Sequence, residues 1–69
     1  MPEIKTGQKI VVFNGQQQEL GEGTFVRLTR HEEMNLIAYE CEEHTILARG
    51  EHFLRLEGKM HIIRSGLAP

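Results

Sequence analysis

The stretch "LIAYECEEHTILAR", Leu36 to Arg49, decides whether the chain is all-β or contains a helix. A helix from Glu32 onward would scatter Ile37, Ala38 and Cys41 around its surface, and no capping residue precedes Glu32. Two short strands joined by a turn place the apolar side chains on common faces instead. We therefore predict a β-hairpin in this stretch.

The register of this hairpin depends on its turn. If Glu42 and Glu43 form a two-residue turn, opposed residues share one mostly apolar face. The opposed pairs are then Cys41 with His44, Tyr39 with Ile46, and Ile37 with Ala48. A longer loop, from Glu40 to Glu43, would shift the register and turn Cys41 outward. We predict the tight turn with Cys41 facing inward, although Glu-Glu is a poor sequence for it.

Glycine and asparagine residues divide the rest of the chain into short pieces with strand composition. The run "KIVVF", Lys9 to Phe13, is typical of a strand covered on both faces or paired on both edges. In "TFVRLTR", Val26 and Leu28 alternate with polar residues, as in a half-buried strand. The pieces "HFLRL" and "MHIIR" flank a turn at Glu57-Gly58-Lys59. We also expect a single helical turn near residues 51–54.

These patterns predict one all-β domain over residues 1–69, a small open barrel of five or six short antiparallel strands. The termini, residues 1–6 and 66–69, are expected to be loose. A chain of this length buries only about 60 % of the surface that its unfolded form exposes, so oligomerisation would help to stabilise it. The predicted core consists of Ile10, Val12, Val26, Leu28, Ile37, Tyr39, Ile46, Leu54 and Ile62.

The order of these elements resembles that of the small Src-homology-like barrels, which include KOW and Tudor modules. The resemblance rests on the entry strand Gly7 to Val12 and on Gly21 to Val26, where a glycine-rich turn leads into the next strand. It implies a binding module. The aromatic groove of true Src-homology domains is missing, since Tyr39 is the only tyrosine and the chain has no tryptophan.

A second stretch of the chain is similar to the tryptophan-dependent RNA-binding attenuation proteins, which are ring-forming all-β subunits. The matching pieces come in the same order in both, but the segment between Arg30 and Leu36 is much shorter here. The pieces are Leu28 to Arg30, Ile37-Ala38, Glu43 to Thr45, Arg49 to Glu51, and Gly58 with Met60. The resemblance implies an RNA contact only for Arg49.

Cys41 and His44 form the one pair in the sequence with metal-ligand spacing. Opposed at a hairpin end, they could share Zn²⁺ with two further donors from His31, His52 and His61. A packed hairpin end explains the pair without a metal, and we favour it, because cysteine behaves as a small buried hydrophobe. No second close donor pair follows in sequence, so we assign no metal and no cofactor and keep Cys41 and His44 as weak candidates.

The composition disfavours an enzyme. All ten acidic residues are glutamate, which removes several common active-site designs, and Ser65 is the only serine. Cys41 is surrounded by glutamates, which raise the pKa of a thiol. The single cysteine excludes an internal disulfide, and neither a leader nor an apolar run approaching the roughly 20 residues of a membrane span is found. We expect a non-enzymatic cytoplasmic protein without catalytic residues.

The basic residues fall in or beside the predicted strands, whereas the glutamates gather in loops. A basic strip could form despite the net charge of -2, and it would bind nucleic acid. Alternatively, these side chains simply form the solvent face of a sheet. The candidate nucleic-acid contacts are Arg27, Arg30, Arg49, Arg55, Lys59 and Arg64.

The apolar residues near the C-terminal hairpin exceed what one small core needs. Phe53, Leu56, Met60 and Ile63 could pack between subunits. We therefore predict a binding or regulatory module whose partner is another protein or a second copy of the chain, with nucleic acid as the alternative partner and no role at a membrane.

Overall fold

The computed structural model describes residues 2–64, which form one six-stranded antiparallel sheet and no α-helix. The strands are β1 (Lys9–Phe13), β2 (Glu19–His31), β3 (Leu36–Cys41), β4 (Thr45–Arg49), β5 (His52–Leu56) and β6 (Lys59–Ile63). Their order across the sheet is β4-β3-β2-β1-β5-β6, so the sheet is open. The predicted all-β class is confirmed. The helical turn expected near residues 51–54 is wrong, since residues 52–54 belong to β5.

The β3–β4 hairpin has the predicted register. Tyr39 lies opposite Ile46, and Ile37 lies opposite Ala48. The Cys41 amide donates to the His44 carbonyl at 2.9 Å, which closes the turn over Glu42 and Glu43. The helical alternative is limited to one 3-10 turn, Glu32–Met34, that joins β2 to β3.

Strand β2 is long enough to serve two half-sheets. Its first half pairs with β1 and its second half with β3. A register shift lies between Phe25 and Arg27, and it brings Phe25 to the inner face with Leu28. Val26, predicted as core, is the residue inside the bulge and is only half-buried, while Phe25 is buried.

The sheet curls so that its two halves face each other across the core. Gly21 and Gly23 lie on the inner face of β2, opposite Val12 and Ile10 of β1. A Cβ on Gly21 would lie 3.2 Å from Cγ1 of Ile46, and a Cβ on Gly23 would lie 2.8 Å from Cβ of Cys41. These two glycines therefore let the β3–β4 hairpin pack directly on the β2 backbone.

The β5–β6 turn and the β1–β2 loop are each stabilised by local features. Glu57 and Gly58 both have positive φ, as a two-residue turn of the mirror-image type requires. In the β1–β2 loop, the Asn14 side chain accepts hydrogen bonds from the amides of Gln16 and Gln18, each at 2.9 Å. The loop over Gln16, Gln17 and Gln18 is thus ordered by the Asn14 side chain.

The core contains most of the predicted residues, with one reversal at the C-terminal hairpin. The turn there has two residues and not three, so Leu56 pairs with Lys59. The side chains of β6 that were predicted to face inward therefore face outward, and the others face inward. Ile63 is 2 % exposed, while Ile62, predicted as core, is 46 % exposed. The buried apolar side chains are Ile10, Val12, Phe25, Ile37, Ala38, Tyr39, Ile46, Ala48, Leu54, Leu56 and Ile63.

The segment before β1 contacts the sheet. Ile4 packs against the core, the Thr6 hydroxyl donates to the Val26 carbonyl at 2.8 Å, and the Gly7 amide donates to the Phe25 carbonyl at 2.8 Å. The predicted loose C-terminal segment, 66–69, lies outside the described residues.

Candidate functional site

The outer surface of β1, β5 and β6 carries a set of apolar side chains that the core does not use. Alternation along each strand turns them away from the interior, and the pairing of the strands aligns them in two rows. One row joins Phe13, Phe53 and Ile62, and the other includes Val11 and Met60 on either side of Arg55. We call these five side chains, Val11, Phe13, Phe53, Met60 and Ile62, the outer apolar face.

The side chains of the outer apolar face range from half-buried to exposed. Met60 and Ile62 of β6 are 47 % and 46 % exposed, and Phe13 and Phe53 are half-buried. Of the three phenylalanines, only Phe25 is buried in the core. The face therefore presents more apolar surface than the sequence indicated.

Charges of both signs border this face. The Arg55 guanidinium carbon lies 5.4 Å from the ring centroid of Phe13, within range of a cation–π interaction. Lys9 and Arg55 line a shallow groove along β1 together with Glu22, Glu43 and Glu57. The surroundings of the face are therefore mixed in sign.

The four predicted interface residues divide between two environments. Phe53 and Met60 lie on the outer apolar face. Leu56 is 5 % exposed and Ile63 is 2 % exposed, so both belong to the core. Residues that the sequence analysis missed are Val11, Phe13 and Ile62, and the signal for the first two was the unbroken apolar run of β1.

The candidate nucleic-acid contacts are distributed over several surfaces. Arg27 pairs with Glu40 at 2.9 Å on the outer surface of β2 and β3, and Arg64 pairs with Glu51 at 2.9 Å beyond β6. Arg30 shares the inner face of β2 with Leu28, and Arg49 lies on β4 at the far side of the sheet. Lys59 adjoins the β5–β6 turn, and Arg55 lies between Val11 and Met60 of the outer apolar face. These six side chains do not form one strip.

Cys41 and His44 flank the β3–β4 turn and are joined by a backbone hydrogen bond. Cys41 is half-buried over Gly23, and its Sγ lies 3.7 Å from the Tyr39 carbonyl oxygen. Burial, and then the Glu43 carboxylate, raises the pKa of the Cys41 thiol. Within residues 2–64, no three histidine, cysteine or acidic side chains gather in a group that could hold a metal.

Glu43 fixes the hairpin end to β2. One carboxylate oxygen accepts from the Thr24 amide at 2.9 Å, and the other accepts from the Thr24 hydroxyl at 3.1 Å. These hydrogen bonds, the backbone one first, lower the pKa of Glu43. Glu42-Glu43 is an unfavourable sequence for a tight turn, and the hydrogen bonds from Thr24 of β2 to the Glu43 carboxylate stabilise it.

A buried polar pair links β3 to β5 through the core. The Tyr39 oxygen lies 2.6 Å from Nε2 of His52, and Nδ1 of His52 lies 2.9 Å from the Gly50 carbonyl oxygen. A carbonyl oxygen only accepts, so Nδ1 carries the proton and Nε2 accepts from the Tyr39 hydroxyl. Desolvation lowers the pKa of His52 and raises that of Tyr39.

No family model, curated protein or solved structure matches the chain. In the described part of the chain, no helix has the length and apolar character needed to cross a membrane.

Proposed function

We propose that this chain is a non-enzymatic, cytoplasmic binding module of the Src-homology-like barrel type, which associates with a second copy of itself through the outer apolar face. The observation that carries the proposal is the alignment of apolar side chains on the outside of three neighbouring strands. Small soluble domains rarely leave such a patch open without a partner.

The sequence of β1 supports a covered outer face. A strand that faces solvent on one side normally alternates apolar and polar residues, whereas β1 places Val11 and Phe13 outward and Ile10 and Val12 inward. Burying Phe13, Phe53 and Ile62 against a partner would add apolar burial that a small core cannot supply. Self-association therefore complements the limited core of this fold.

The charges around the face favour a second copy as the occupant. Two copies related by a two-fold axis place the same surface against itself, so a face bordered by both signs can form its own ion pairs. Glu22 and Arg55 occupy one outer row, on either side of Val11. A phosphate backbone would instead require an excess of positive charge.

Exchanging Ile62 for lysine tests this interface. The wild-type mass in sedimentation velocity is expected to rise with concentration towards that of a dimer, and Ile62→Lys is expected to weaken association by more than about tenfold, because it buries an unpaired ammonium in the contact. The matched control is Leu47→Lys on β4, where Leu47 is 55 % exposed, and it should associate as the wild type does. A wild-type mass that stays monomeric at high concentration would refute the proposal.

A second candidate function, single-stranded nucleic-acid binding, is favoured by one specific observation. Phe13 and Phe53 are direct neighbours on adjacent strands, both face outward, and Arg55 lies over Phe13. Bases stack on aromatic rings arranged in this way on sheet surfaces. Arg49, the position that the attenuation-protein resemblance implies as an RNA contact, lies on β4 and is not part of this face.

Filter binding of unstructured RNA and DNA oligonucleotides distinguishes the two candidates. Stacking on the outer apolar face predicts retention at low salt that falls steeply with added salt, and Phe13→Ala and Arg55→Ala should each weaken it, by about 1–3 kcal/mol for the aromatic ring. Arg49→Ala is the control for a contact at β4. Retention of neither nucleic acid at low salt would remove this candidate.

A further inference from the structure

We propose that the Tyr39–His52 pair is an acid-sensitive lock between the two halves of the sheet, and that protonation of His52 on Nε2 opens the fold. The proposal concerns the core and is independent of whether the outer apolar face binds a second copy.

The position of the pair makes it a lock. In the sheet order β4-β3-β2-β1-β5-β6, β3 and β5 are separated by two strands, so their contact crosses the interior and does not follow the sheet. Tyr39 and His52 are both 0 % exposed, and their rings meet edge to face with centroids 5.6 Å apart. This is a polar link across a core that is otherwise apolar.

The neutral histidine satisfies every hydrogen bond of the pair. Nδ1 donates to the Gly50 carbonyl and Nε2 accepts from the Tyr39 hydroxyl, so both ring nitrogens are satisfied. A proton taken from solvent onto Nε2 would turn that nitrogen into a donor, which could pair with the Tyr39 oxygen only if the hydroxyl proton turned away from it. The Tyr39 hydroxyl would lose its acceptor, and a positive charge would lie in the core.

Among residues 2–64, the groups described around the ring supply no negative charge to compensate. Tyr39 faces the ring from β3, and Arg30 of β2 acts electrostatically on Tyr39. His61 follows at the next inward position of β6, opposite Leu54. The nearby carboxylate in sequence, Glu51, pairs with Arg64. Within residues 2–64, neither ring nitrogen of His52 takes part in an ion pair.

The sign of the pH effect follows from these surroundings. Desolvation lowers the pKa of His52 in the folded state, and the hydrogen bond to Gly50 opposes it in part. The unfolded chain therefore binds the proton more readily, and the stability that His52 contributes above its unfolded pKa of about 6.5 is lost as the pH falls below that value. Protonation of Glu43 also lowers the stability as the pH falls, because its folded pKa is lowered too. This loss begins only below the ordinary pKa of a glutamate.

Urea unfolding of the full chain between pH 8 and pH 5 tests the lock. Tyr39 is the only tyrosine and the chain has no tryptophan, so near-ultraviolet circular dichroism reports mainly on this pair. The unfolding equilibrium constant is expected to rise by up to about tenfold for each pH unit below about 6.5, until His52 is protonated in the folded state. Carrying out the series in the Ile62→Lys background keeps self-association out of the result.

Histidine variants assign the effect to one ring. The triple variant His31→Gln, His44→Gln and His61→Gln should keep the pH dependence, and His52→Gln should lose it. If His52→Gln does not fold, Tyr39→Phe serves instead, because it removes the hydroxyl that donates to Nε2. Tyr39→Phe should lower the stability at pH 8 and narrow the pH range over which stability falls. Long-range ¹H–¹⁵N spectra should show a proton on Nδ1 and none on Nε2 at pH 8. The opposite tautomer, or a pH dependence that disappears in the triple variant, would overturn the proposal.

Discussion

Replacing Gly23 with alanine is expected to lower the free energy of unfolding by about 2–3 kcal/mol, as overpacking of a close contact does. The new Cβ would lie 2.8 Å from Cβ of Cys41 and 2.9 Å from Oε1 of Glu43. The glutamate oxygen can move aside, but Cys41 Cβ is fixed to the backbone of β3. The hairpin and β2 would have to separate, and chemical denaturation of the variant measures the cost.

Two further variants show whether this contact is the cause. Gly21→Ala should have a smaller effect, because its nearest neighbour would be the side-chain atom Cγ1 of Ile46 at 3.2 Å, which can shift slightly. Cys41→Gly removes the Cβ atom that the new alanine side chain of Gly23→Ala would contact too closely. The double variant should therefore lose less stability than the sum of the two single variants, by about 1 kcal/mol or more. Strict additivity would show that the loss arises elsewhere.

Consecutive isoleucines in β6 allow an equally direct test of which side of the sheet faces the core. Ile63→Ala is expected to destabilise the fold by about 2–4 kcal/mol, since the side chain is 2 % exposed and its loss leaves a cavity. Ile62→Ala, with the native side chain 46 % exposed, should change the stability of the monomer by less than about 0.5 kcal/mol. Thermal unfolding at low protein concentration compares the two.

Comparing Ile62→Ala with Ile63→Ala also tests the register between β5 and β6. If Ile62→Ala were the more costly change, the β5–β6 turn would have three residues, and the outer apolar face would lose one of its members. Equal losses would indicate that β6 is covered on both sides in the monomer. Only the unequal result, with Ile63 dominant, agrees with the pairing of Leu56 with Lys59.

The features that were predicted correctly depend on patterns between residues that are close in sequence. The β3–β4 register followed from the two-residue period of Leu36 to Arg49, even though Glu42-Glu43 is poor turn chemistry. The link from Glu43 to Thr24 that supports this turn joins residues far apart in sequence, so local rules could not reveal it. The class of fold followed from the same alternation, repeated along the chain.

The errors came from irregularities of one residue. A bulge between Phe25 and Arg27 moved the inward position from Val26 to Phe25, and a shorter turn moved it from Ile62 to Ile63. Gly58 pointed to the two-residue turn, since glycine is preferred at the second central position of a mirror-image turn, but Glu57 is not a favoured residue at the first. The bulge leaves no such signal, and the Tyr39–His52 bond depends on the curl of the whole sheet.

The pairing of β1 also determines the order in which the protein can fold. The β3–β4 and β5–β6 hairpins bring together residues that are near in sequence, so they can form early and independently. Strand β1 must pair with β5, matching Ile10 near one end of the chain with Leu56 near the other. Closing that long loop costs chain entropy before the β1–β5 contacts can form and stabilise it. Formation of the β1–β5 pairing is therefore expected to set the folding rate. Until it closes, Phe13 and Phe53 remain apart, and no outer apolar face exists to attract a second chain.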